Sequence, residues 1–155
     1  MIRRPLAVAA LCAGLALSGC ATTVHVDPMP LANTEACADV SVRLPDALGD
    51  LNRQWTDGQA TASWGDQAVV LACGLEELAP TTLQCVRVGG VDWVVNDEDF
   101  PRQKLATYGR NPAVIVSVDT EVISGGDVAQ ALSAAVSGLE VTGECVDPDE
   151  ATPVG

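Results

Sequence analysis

The chain has 155 residues, 21 acidic against eight basic side chains and one histidine, a formal charge of −13. That length holds one domain with a substantial core and not two, and such a negative surface repels phosphate backbones and anionic headgroups, excluding nucleic acid as a partner. Apolar residues make up 48% of the chain, but the only aromatics are Trp55, Trp64, Trp93, Phe100 and Tyr108, so the core is expected to be mostly Val, Leu and Ala.

Met1-Ile-Arg-Arg4 is a short positive stretch, followed by the 12 apolar residues Leu6 to Leu17. This run fits a signal peptide and falls short of the roughly 20 residues of a spanning helix. It ends in Leu17-Ser18-Gly19-Cys20, which resembles the bacterial lipobox. Small residues at 18 and 19 let an extended backbone enter a peptidase, and the thiol at 20 accepts diacylglycerol. Residues 1–19 are therefore expected to be a lipoprotein signal peptide and Cys20 the lipidated (palmitate-type) N-terminus. Each buried CH₂ of the acyl chains contributes roughly 0.8 kcal/mol, and two chains anchor stably where one does not. Cleavage removes Arg3 and Arg4, leaving six basic side chains against 21 acidic ones. Charge cannot hold such a protein at a membrane; a covalent lipid can.

With Cys12 in the leader and Cys20 given to lipid, Cys37, Cys73, Cys85 and Cys145 remain. An even count in an oxidising compartment predicts two disulfides, with three connectivities open. Residues 20–36 (CATTVHVDPMPLANTEA) lack periodicity, contain Pro28 and Pro30, and are predicted to be a flexible tether reaching up to roughly 50 Å. The folded domain is expected over 37–145, and the acidic, Pro-containing residues 146–155 as a disordered tail.

Within the domain, Val40, Leu44, Leu48 and Leu51 fall at helical spacing, with Pro45 suited to the first turn of a second short helix. Ala68-Val-Val-Leu-Ala-Cys73, closed by Gly74, predicts a buried strand. In Gln84-Cys-Val-Arg-Val-Gly-Gly-Val-Asp-Trp-Val-Val95 the Gly89-Gly90 turn fixes a hairpin register. It sets Val88 opposite Val91, Val86 opposite Trp93, and Arg87 opposite Asp92 as a cross-strand ion pair. Leu105 to Tyr108 and Ala113 to Val118 predict two more strands, joined through Gly109-Arg-Asn-Pro112. Asp127 is the expected N-cap of a helix with Val128, Leu132, Ala135 and Val136 on its buried face and Gly138 near its end. Short connections favour antiparallel pairing. The predicted fold class is α+β: a single two-layer domain, mainly antiparallel sheet, with an N-terminal and a C-terminal helix on one face.

The chain resembles the actinobacterial lipoproteins grouped as "domain of unknown function 3515". The resemblance is carried by Cys37 with Leu44-Pro45, Trp64-Gly65 leading into Ala68-Val-Val-Leu71 and Cys73-Gly74, Gly90-Val91 with Trp93, and Thr107-Tyr108-Gly109-Arg110 running into Pro112-Ala113-Val114. The helix around Leu132 completes it. It implies an address and a domain, and brings no activity or ligand. Cys37 and Cys73 belong to the family pattern whereas Cys85 and Cys145 do not. The resemblance thus implies Cys37 bonded to Cys73, closing a 36-residue loop that adds roughly 3–4 kcal/mol, and Cys85 bonded to Cys145.

No catalytic motif stands out. His25, the sole histidine, lies in the predicted tether, remote from any Ser-His-Asp or Cys-His arrangement, and reads as a solvated linker residue. Neither a metal constellation nor a cofactor fingerprint is present in the sequence. Asn96-Asp97-Glu98-Asp99 reads as a solvated turn. The candidate ligand-binding residues are Trp64 and Trp93, which could line a groove for sugar or lipid, and Asp66 and Arg110, of which Arg110 could grip a carboxylate or phosphate. Against these stand a core role for both tryptophans and an internal contact for Arg110. The expected function is a non-catalytic binding or accessory module, lipid-anchored on the outer face of the cytoplasmic membrane, with an envelope protein, glycan or lipid as partner. The alternative is an envelope enzyme such as a glycan hydrolase, using Asp66, or Asp97 with Asp99, as acid and base.

Overall fold

The computed structural model describes residues 22–146. The expected leader, Cys20 as the expected lipid acceptor, and all of the acidic tail except Val146 lie outside them.

Thr34 starts the first helix, α1 (Glu35–Arg43), with its hydroxyl accepting the Cys37 amide at 3.4 Å and Glu35 in the first turn, where the helix dipole favours an acid. Pro45 forces the residue before it out of the helical region, and Leu44 is extended (φ −64, ψ 136). The second short helix expected here does not form. Instead Ala47–Leu48 (β1) turns through Gly49, at φ 58, into Leu51–Gln54 (β2), with Leu48 opposite Leu51. The leucine spacing satisfies either geometry; Pro45 and the left-handed Gly49 select the hairpin. Leu44 and Leu48 reach the core all the same.

The remaining elements are β3 (Thr61–Trp64), β4 (Val69–Leu75), β5 (Gln84–Val88), β6 (Val91–Asp99), β7 (Arg102–Thr107), β8 (Arg110–Asn111), β9 (Ala113–Asp119), α2 (Gly125–Val136) and β10 (Glu140–Val141). Eight strands make one antiparallel sheet in the order β1-β2-β3-β4-β9-β7-β6-β5, and β10 pairs with β8. The fold is α+β, as expected. The predicted strand at 68–73 is present but does not stop at Gly74. It bulges between Cys73 and Leu75, with Gly74 at φ 113. A side chain at Gly74 would overlap the backbone of Leu31 and Ala32.

The Gly-Gly hairpin has the predicted register: Val88 faces Val91, Arg87 faces Asp92, and Val86 faces Trp93. Arg87 grips Asp92 through two hydrogen bonds of 2.6 and 2.9 Å. Asp92 is only 5% exposed because the chain after β10 folds over it and donates the Cys145 amide at 2.8 Å. The Arg87 guanidinium above all, and then that amide, hold the Asp92 carboxyl below the usual range despite its burial. The strands at 105–108 and 113–118 are also present, as β7 and β9, paired antiparallel.

Ser124, not Asp127, occupies the N-cap position of α2; Asp127 sits inside the first turn, where its charge still suits the helix dipole. The predicted face of Val128, Leu132, Ala135 and Val136 is buried. The helix packs on β5, β6, β7, β9 and α1, while α1 also meets β4. One core results, with Trp64, Leu71, Trp93, Val114, Val116 and Leu132 among its members.

Both expected disulfides are formed. Cys37–Cys73 (Cα separation 5.6 Å) ties α1 to β4, and Cys85–Cys145 (5.9 Å) ties β5 to the chain beyond β10.

The segment expected to be a free tether is docked along the domain from Val24 onward. Val24 forms a parallel bridge with Thr56, donating to the Trp55 carbonyl at 2.8 Å and accepting from the Asp57 amide at 3.2 Å. Leu31 donates to the Gly74 carbonyl at 2.8 Å, and both Val24 and Ala32 are buried. A sequence without periodicity can still dock when its backbone groups find partners, and this one finds them on the 55–58 loop and at the Gly74 bulge.

Candidate functional site

The four candidate residues are not brought together. Trp64 on β3 and Trp93 on β6 are fully buried, with β4, β9 and β7 between their strands. The Trp64 indole donates to the Pro45 carbonyl at 3.1 Å, whereas the Trp93 indole N–H has no partner among the described residues. Both are core pieces, and neither lines a groove. Arg110 is 8% exposed and donates to the carbonyls of Leu139 (2.8 Å) and Ser137 (3.3 Å), closing the chain just beyond α2. Asp66 stands exposed in the β3–β4 turn at φ 52 and accepts from the Gln54 amide at 3.1 Å.

The carboxylates at 97–99 occupy the exposed end of β6. Asp97 accepts from the Gln103 side chain at 2.7 Å, Asp99 pairs with Lys104, and Glu98 hydrogen-bonds Asn96 through both its amide and its side chain. The Asp99 carboxylate raises the Lys104 pKa. Among the described residues, no group of three or more His, Cys, Asp or Glu could hold a metal ion.

A cleft of about 530 Å³ lies instead between the end of α1, strand β2 and the 55–61 loop. Its walls include Ser41, Asp46, Arg53, Gln54, Trp55 and Thr56. Thr56 and Thr61 tie the loop's two ends together, Thr56 donating to the Thr61 carbonyl (3.0 Å) and Thr61 to the Gly58 carbonyl (2.7 Å). Ala60 is held at φ 54, a left-handed conformation that costs a non-glycine residue of order 1 kcal/mol or more. Arg53, half-buried, has its guanidinium 5.9 Å from the Trp64 ring centroid and reaches the Leu44 carbonyl at 3.5 Å. Among the described residues no carboxylate lies within 4 Å of it, although Arg87, Arg102 and Lys104 each have one. Trp55, at 76% exposure, stands at the rim.

Sequence reasoning missed this site because its walls come from residues 41–61 of three different elements. One signal was present: Trp55 sits in the polar string Gln54-Trp55-Thr56-Asp57-Gly58, whereas Trp93 has three valines within two residues of it (Val91, Val94 and Val95), and large aromatics outside apolar runs favour surfaces used for contact.

Beside the cleft, His25 is solvent-exposed but engaged. Its Nδ1 lies 2.7 Å from Asp57 Oδ2, and the other Asp57 oxygen accepts the Val26 amide at 3.0 Å. The Asp57 hydrogen bond, then the charges of Asp57 and Asp27, raise the His25 pKa; the His25 hydrogen bond, then the Val26 amide, lower that of Asp57. A raised histidine pKa contributes fully below the unfolded value of about 6.5 and is lost as pH rises through the folded value. A lowered aspartate pKa contributes above its unfolded value of about 3.9 and is lost as pH falls through the folded one. Docking of residues 24–26 is therefore tightest in mildly acidic solution. Hydrogen exchange at the Val24 and Val26 amides should quicken on the alkaline side of the His25 titration, beyond the intrinsic base-catalysed rate. In His25→Gln that extra rise should vanish; if it persists, the ion pair does not hold the segment.

Among the described residues no helix is long and apolar enough to cross a membrane. No curated protein and no solved structure matches the chain. The family model described as "Protein of unknown function (DUF3515)" matches residues 5–142, a span that includes the Trp-Gly, Ala-Val-Val-Leu and Tyr-Gly-Arg strings, and the chain belongs to that family.

Proposed function

We propose that this chain is an exported lipoprotein, held through diacylglyceryl-Cys20 on the outer face of the cytoplasmic membrane, whose domain binds a ligand without transforming it. The positive leader, the brief apolar run and the Leu-Ser-Gly-Cys ending at residue 20 support the anchor. Two disulfides support an oxidising compartment. In this reading the two helices form one layer over a single face of the sheet, and the cleft opens beside α1 at β2.

The observation that carries the binding role is Arg53. In a chain with such an acidic excess, a half-buried guanidinium with no carboxylate within 4 Å among the described residues, opening onto a cleft with a tryptophan rim, is suited to an anionic group on a ring-bearing body. An acidic glycan or a phosphate-bearing headgroup has that chemistry. Asp66, in the β3–β4 turn, and Asp97 and Asp99, at the exposed end of β6, which the hydrolase alternative requires, lie outside the cleft and already hold neighbouring side chains.

The test is a titration of the lipid-free domain with glucuronate and with inorganic phosphate, followed by nitrogen–proton correlation spectra. One or both should move the Arg53 Nε and Trp55 Nε1 signals saturably, and Arg53→Gln should remove that response. Saturation that survives Arg53→Gln, or no shift with either anion, would overturn the assignment of this cleft.

A further inference from the structure

We propose that Trp55 seats in the headgroup layer of the membrane that holds the chain, so that the domain lies directly on the bilayer surface. The inference rests on the lipid anchor at Cys20 and adds to it an orientation.

Chain length sets the distance. Val24 is fixed to the 55–57 loop by backbone hydrogen bonds in both directions, and Asp57 fastens the next two residues through the His25 ring and the Val26 amide. A Cβ at Gly58 would overlap the Val26 carbonyl, so the loop is shaped around this segment. Four Cα-to-Cα steps lead from Cys20 to Val24, and at about 3.6 Å each they span no more than roughly 14 Å. The root of the lipid is then on the order of 20 Å or less from Trp55, against the roughly 50 Å that a free tether would permit.

Side-chain chemistry selects the contact. Trp55 is the one tryptophan at the surface of the described residues, since Trp64 and Trp93 are fully buried. An indole with an apolar ring and an N–H donor has its preferred place at a membrane–water interface. Around it, Asp27, Asp46 and Asp57 offset His25 and Arg53, so the attraction comes from the ring and not from charge. The seating should therefore be strongest on zwitterionic lipid and weaker on anionic lipid. The Arg53 cleft, with Trp55 on its rim, would open at the headgroup layer and take its ligand from the membrane surface.

The experiment uses the full-length chain expressed with its own leader, purified with its lipid and reconstituted in phosphatidylcholine vesicles. Trp55→Phe, a mild change at an exposed site, isolates the Trp55 emission by difference from that of the two buried tryptophans. Brominated phosphatidylcholine should quench the Trp55 difference signal, and external iodide quenching should be roughly halved relative to the Cys20→Ser chain in solution. If fatty-acid labelling shows lipid on the wild-type protein but iodide reaches Trp55 as freely as in Cys20→Ser, the seating is wrong and the anchor stands. If the purified chain carries no fatty acid, the anchor is wrong and this inference falls with it.

Discussion

Replacing Cys37 and Cys73 together by alanine should lower the free energy of unfolding by about 4 kcal/mol. A 36-residue separation gives that figure from loop entropy alone. Both cysteines are fully buried, so removing the sulfurs also leaves space between α1 and β4 that the core has to collapse around. The effect should spread. Thr34 and Leu31 lead directly into α1, so a loosened helix also loosens the docked segment before it. Denaturant unfolding of the double variant, with the Cys85–Cys145 bond intact, measures the loss. A change below 1 kcal/mol would show that the bridge contributes little beyond the packing around it.

Arg110→Ala should cost about 2–3 kcal/mol, because charge-assisted hydrogen bonds are strong and their loss strands buried carbonyls. The two carbonyls belong to Ser137 and Leu139, where the chain leaves α2 to form β10. Lysine at this position should recover only part of the loss, since a compact ammonium lacks the planar fork. The comparison also separates two roles for this arginine. A guanidinium kept for a ligand would leave unfolding within about 0.5 kcal/mol of wild type; one that closes the end of a helix would not. Thermal or denaturant unfolding of both variants decides between them.

The parts of the fold legible in the sequence are those where one local rule admits one answer. Gly89-Gly90 fixes its hairpin because a two-residue turn sets the register of everything flanking it, and the Arg87–Asp92 pair follows. The buried face of α2 was readable from spacing, although its start was not, since Ser124 and Asp127 are both acceptable caps. Where two geometries satisfy the same spacing, the reading failed. Leu44, Leu48 and Leu51 suit a helix face and a hairpin equally, and Pro45 with Gly49 decided for the hairpin. Strand β3 was hidden because all four of its residues are buried, so Thr61-Ala-Ser-Trp64 shows no alternation. Docking of residues 24–34 left no trace because backbone groups and one exposed ion pair hold it. The candidate site was the least legible part. Residue type alone did not separate the two core tryptophans from the exposed one, and Arg53 acquires meaning only once α1 and the 55–61 loop stand beside it.

The two bridges join the cysteines in sequential pairs, 37 with 73 and 85 with 145, so neither loop encloses or interlaces with the other. A chain that enters an oxidising space from its N-terminal end presents Cys37 and Cys73 before either later thiol. With the leader removed and Cys20 carrying its lipid, as proposed, an oxidant that joins thiols in order of arrival makes both native bonds at the first attempt, without a shuffling step. The first bond can lock the half of the domain that carries the Arg53 cleft while the last strands are still emerging.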